Sequence, residues 1–160
     1  MNLLRQGTVT AGLIGIFWAL IVVTSVAVAM SFATGKGFKP ELSGCLLLGL
    51  VAGQLCLLLR NKWLAVLVIT LLGTALTLSP LPPLGMSENV GTQLALSAAI
   101  LTGFCIAWPL TRMLANLSVG ALTRHSFEEA VIRFLLGFGY VFFTAIVLIP
   151  FYVMVMTSLK

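Results

Sequence analysis

The stretch Leu42–Gly85, "LSGCLLLGLVAGQLCLLLRNKWLAVLVITLLGTALTLSPLPPLG", decides how the chain is built. It holds two uncharged runs, 42–59 and 63–80, separated only by Arg60, Asn61 and Lys62. A helix rises 1.5 Å per residue, so runs of this order approach the ~30 Å hydrocarbon thickness of a bilayer. So short a polar turn makes the two an antiparallel helical hairpin. Pro80, Pro82 and Pro83 then remove backbone donors and push the residues before them out of helical geometry, which ends the second helix.

Working outward, three further uncharged or nearly uncharged runs appear at 11–33, 90–111 and 131–157. The 160 residues are 60% hydrophobic and 8% charged, against roughly 25% charged in a soluble domain. No stretch is left over to fold a soluble domain of about 50 residues or more. The predicted fold class is therefore all-α: a polytopic membrane protein forming one integral domain, 1–160, with about five transmembrane helices. "AVA", Ala27–Ala29, has the small residues of a signal-peptide cleavage site, but the run containing it exceeds the usual apolar region of 7–15 residues. It is read as a retained span.

The one sizeable polar connection is Arg112–Arg133, "RMLANLSVGALTRHSFEEAVIR". Leu114, Leu117, Ala121 and Leu122 recur at about helical spacing, which predicts a short amphipathic helix on the cytoplasmic membrane surface before the last span. Ser126 and Glu129 have the spacing of a capping box, placing the start of the last helix near Ser126. Glu128 and Glu129 suit a helix N-terminus electrostatically.

Counting Lys and Arg sets the orientation. With the N-terminus inside, Arg5, Arg60, Lys62, Arg112, Arg124 and Arg133 are cytoplasmic, while Lys36, Lys39 and Lys160 are outside. The bias predicts a cell (inner) membrane protein with its N-terminus cytoplasmic and its C-terminus outside. The formal charge of +5 does not point to nucleic acid, because the basic residues are scattered between apolar runs.

The catalytic inventory is thin. There is no Asp, and the four Glu and the single His125 all lie outside the spans, so the usual pointer to an intramembrane proton or ion path is missing. Cys45, Cys56 and Cys105 fall singly inside apolar runs with no metal-type or redox-type spacing. His125 with Glu128 and Glu129 has ligand chemistry, but the adjacent glutamates point about 100° apart on a helix. No metal, cofactor or catalytic residue is expected.

Packing signals are stronger. Cys45, Gly49 and Gly53 repeat every four residues on the second span, and Gly137 and Gly139 open the last one. Small residues on one face let a neighbouring helix approach closely, a main source of association in lipid. The partner is either another span, with Gly12, Gly15 and Ala19 of the first as candidates, or another protein. Gln54 is the lone amide of its span and reads as interhelical glue, or with Gln93 as part of a polar route. Pro150 frees a carbonyl and can bend the last span.

The residues "IPFYVMVMTSLK", Ile149–Lys160, resemble the outer end of the first core span in permease subunits of sugar importers of the ATP-binding-cassette class. That resemblance implies a span running from cytoplasm to exterior, as here. The coupling loop of that family lies downstream of this span and has no counterpart in these residues; the "EEA" at Glu128–Ala130 lies upstream. No functional residue carries over.

Together these readings predict an accessory or assembly subunit of a membrane complex, acting through helix packing. Its partners are the lipid bilayer and other membrane subunits or further copies of itself. The alternative is a transporter or permease component for an uncharged or weakly polar solute, lined by Gln54, Gln93, Thr24, Ser25, Thr70 and Thr102. A third reading is a surface enzyme using Arg112, Arg124, His125 and Glu128 on an anionic lipid head group.

Overall fold

A computed structural model describes residues 6–59, 61–87 and 90–158. Arg5, Arg60, Glu88 and Lys160, which entered the sequence reading, lie outside the described residues. Five helices carry the fold: α1 Gly7–Thr34, α2 Leu42–Leu58, α3 Lys62–Thr77, α4 Thr92–Met113 and α5 Arg124–Ser158. The chain is mostly helical, as its composition requires. Helices α1, α4 and α5 are long and apolar enough to cross a membrane, while α2 and α3 are shorter apolar helices of 17 and 16 residues.

Local signals explain the ends. Helix α1 stops where Gly35 takes the left-handed conformation, φ 66°, and returns its N–H to Ser31 O, a geometry that costs glycine little. Helix α3 starts on Asn61, whose side chain accepts from the Trp63 N–H at 3.2 Å.

Helix α1 is the hub, touching α2, α4 and α5 and the segment that follows it. Its tightest neighbour is α2. A methyl group built on Gly15 would fall 2.2 Å from Gly49 O, and one on Gly53 would fall 2.2 Å from Ala11 O. No real side chain fits there, so the two backbones cross in direct contact. Helices α3 and α4 repeat the device: a Cβ on Gly103 would lie 2.8 Å from Thr70 O, and one on Gly73 would lie 3.1 Å from the Gly103 Cα. Between the pairs lie Leu48, Ile69, Ile106, Leu110 and Val23, all fully buried.

A two-stranded ribbon closes one end, a feature not expected from the sequence. Strand β1, Phe38–Pro40, pairs antiparallel with β2, Leu84–Met86, in the register Phe38 to Met86 and Pro40 to Leu84. It ties the connection after α1 to the proline segment after α3. Phe38 and Leu84 point inward and are buried. Gly44 lies under Pro82 and Pro83, which a Cβ would meet at 2.5 Å or closer. The prolines thus end α3 and also roof α2.

At the opposite end the connection before α5 differs from the expected amphipathic helix. Residues 114–123 turn and then extend, Ala121 bridging to Gln6 and Gly120 O accepting from the Gly7 N–H at 3.0 Å. Leu114 and Leu122 are buried against the protein and so have no apolar face to give a membrane surface. The start of α5 also moves. Thr123, not Ser126, caps it, with Thr123 Oγ1 accepting from the Ser126 N–H at 3.2 Å. Glu129 is held instead by Arg133 and by Asn116 Nδ2, so it does not reach back to close a box.

This packing predicts an asymmetry among glycines. Gly53→Leu or Gly15→Leu should cost about 1–3 kcal/mol or more by overpacking. Gly139→Ala, with nothing within 4 Å of the new methyl, should gain about 0.5–1 kcal/mol from helix propensity. Thermal unfolding of the three variants in one detergent checks the contrast.

Candidate interaction surface

Helix α5 is built differently from the other four. It has 35 residues, about 50 Å of helix, yet none of its most apolar stretch is buried. It runs parallel to α1, because its start follows the segment bonded to Gly7 and its far part reaches the end of α1. There Tyr152 donates its hydroxyl to Phe32 O at 3.0 Å, and the two rings meet edge to face at 6.1 Å. Nearer its start, Ala130 is buried and Gly137 lies against the Trp18 ring and the Met113 methyl. The helix is pinned along one narrow line.

Beside that line runs an apolar stripe. Tyr140, Phe143, Val147, Phe151 and Met154 follow one another at intervals of three or four residues, so they share a helical face. Each is between 62% and 74% exposed. Only lipid or another helix can cover such a surface at low cost, since about 25 cal/mol per Å² is lost when apolar area meets water.

The residues singled out for packing separate into four groups. Gly49 and Gly53 lie at the α1 crossing. Cys45 is buried and reaches the proline roof, its Sγ lying 3.4 Å from Pro83 O. Gly137 supports α5 against α1 and α4. Gly139 and Pro150 face away from the bundle: a Cβ on Gly139 would meet nothing within 4 Å, and Pro150 is exposed. The reason is angular, for two residues and thirteen residues beyond Gly137 are about 200° and 220° round the helix. Helix α5 nevertheless continues through Pro150.

The polar candidates do not converge. Gln54 donates from Nε2 to Thr8 O at 2.8 Å, joining the end of α2 to the start of α1. Gln93 is exposed at the start of α4, beyond the ribbon and hence at the other end of the bundle. Thr24, Ser25, Thr70 and Thr102 each donate to the carbonyl four residues earlier in their own helix, at 2.7–2.8 Å. Their donors are spent locally, within their own helices.

At the end away from the ribbon, His125 is exposed and its neighbouring carboxylates are engaged, Glu128 with Arg124 at 2.8 Å and Glu129 with Arg133. Aromatic residues form a level there. Trp63 and Trp108 lie 5.4 Å apart, Phe104 stacks on Trp108 at 5.9 Å, and the Arg112 guanidinium sits 4.5 Å over the Trp108 ring. The contact of Trp63 with Trp108 across α3 and α4 could be found only in the fold. Gly73 and Gly103 were missed, since each is a lone glycine in its helix.

The chain matches no protein-family model, no curated protein and no solved structure. Its function must therefore be argued from its own geometry.

Gln54→Leu should lower stability by about 0.6 kcal/mol, the average for an interhelical hydrogen bond in a membrane protein. Gln93→Leu should leave the melting temperature unchanged. Equal losses from the two would contradict the roles assigned here.

Proposed function

We propose that the chain is a five-span protein of the cell membrane that serves as an accessory or assembly subunit, presenting α5 to a partner helix. The observation that carries this reading is the uncovered stripe on α5, set beside a four-helix unit whose small-residue faces are already used internally. Helices α2 and α3 measure roughly 25 Å and fall short of a ~30 Å core, a mismatch that tilting neighbours and local thinning accommodate. The end with Lys62, Arg112, Arg124 and Arg133 is cytoplasmic in this reading, and the ribbon end with Lys36 and Lys39 is exterior.

The same geometry disfavours the transport alternative, because the polar side chains it needs lie at opposite ends or bond within their own helices. Association through α5 relies on the shape of Phe143, Val147 and Met154, since lipid tails are as apolar as these side chains and only close packing favours a protein neighbour.

The test is purification of the tagged full chain from its native membrane in mild detergent, with mass spectrometry of what accompanies it. A defined set of subunits is expected, and it should be lost from the Phe143→Ala, Val147→Ala, Met154→Ala triple variant without a fall in melting temperature. Recovery of the wild type alone as a monomer sinks the proposal.

A further inference from the structure

Between α4 and α5, at the end away from the ribbon, lies an open cleft of about 490 Å³. Trp108, Pro109 and Met113 form one wall, and Leu136, Gly137 and Tyr140 form the other. Arg112 and Arg133 also line it. We propose that this cleft binds the phosphate of an anionic phospholipid, with the acyl chains lying along α4 and α5.

The charge balance favours one anionic group. Arg133 is already neutralised: it pairs with Glu129 and donates from Nη1 to Arg112 O at 3.1 Å, joining α5 to the last turn of α4. Arg112 has no carboxylate within ion-pairing distance among the described residues, and its guanidinium rests on the Trp108 face. Stacking orients the guanidinium and leaves its in-plane N–H groups to donate, the fork geometry that phosphate oxygens accept. One uncompensated cation matches one phosphodiester monoanion.

The surroundings select a lipid over a soluble phosphate. The charged residues sit beside Trp63, Trp108 and Tyr140, the aromatic level expected where headgroups meet acyl chains. Further along the same two helices toward the ribbon, Leu101 and Phe104 on α4 and Phe143 on α5 are exposed large apolar side chains. Basic pockets between spanning helices at the cytoplasmic side suit anionic headgroups. The phosphate contact is made by Arg112 on α4, and of the cleft lining only Tyr140 also belongs to the α5 stripe, so the site stands even if no partner subunit is found.

The experiment uses the full chain in micelles, with binding of phosphatidylglycerol and phosphatidylcholine followed by native mass spectrometry. Wild type should prefer phosphatidylglycerol, and Arg112→Gln should weaken that lipid about fivefold, the equivalent of the ~1 kcal/mol attributed to one basic residue at a membrane surface. Arg112→Lys should retain most of the preference, and Lys39→Gln, at the ribbon end, should retain all of it. Equal binding of the two lipids overturns the proposal, as does a preference unchanged in Arg112→Gln. Displacement by millimolar inorganic phosphate alone would make it a soluble-anion site and overturn the lipid assignment. Arg112 makes no side-chain hydrogen bond to the protein among the described residues, and equal melting temperatures of wild type and Arg112→Gln check that the variant is folded.

Discussion

The contact between the backbones of α1 and α2 governs the rest of the molecule. Gly15, Gly49 and Gly53 remove every side chain from the crossing, so carbonyl oxygens of one helix lie against Cα atoms of the other. In lipid there is no hydrophobic gain from bringing two apolar helices together, and dispersion over a close interface must supply the attraction. The Gln54 bond to Thr8 O fixes the register of that interface. With α1 and α2 locked, α3 packs on α2, the ribbon binds the proline segment back to the end of α1, and α4 closes on α3 through Gly73 and Gly103.

Helix α5 falls outside this chain of constraints. The bundle is complete without it, and it joins through Ala130, Gly137 and Tyr152 along a single line. Its remaining circumference carries bulky apolar side chains that four packed helices cannot accommodate. A helix held at intervals and exposed between them is suited to binding something else while staying attached. The α4 and α5 cleft follows from the same arrangement, since two helices pinned at spaced points leave a wedge, and Arg112 and Arg133 stand at its mouth.

The five apolar runs were legible because an apolar helix is specified by uninterrupted composition, and a helix lies on each run, although α3 already ends at Thr77 and α4 begins only at Thr92. The small-residue repeat at Cys45, Gly49 and Gly53 was legible as a packing face, but its partner was not, because many helices offer glycines. The outward face of Gly139 and Pro150 was not legible for a different reason: on a uniformly apolar helix no polarity marks which face turns inward. The ribbon lay hidden in two loops of ordinary sequence, with Lys39 and Gly85 giving no strand signal. Leu114, Leu117, Ala121 and Leu122 imitated an amphipathic helix because apolar residues of a turning loop, of which only Leu114 and Leu122 are buried, can share helical spacing.

The account rests on α5 facing a protein and the glycine crossings being internal. Photo-crosslinking in native membranes separates these surfaces. A photoreactive residue at Phe143, Val147 or Phe151 is predicted to yield a discrete protein adduct, while one at Leu50 or Leu71, exposed on α2 and α3, yields only lipid adducts. Lipid adducts alone from every position would contradict the account and make α5 a plain lipid-facing span.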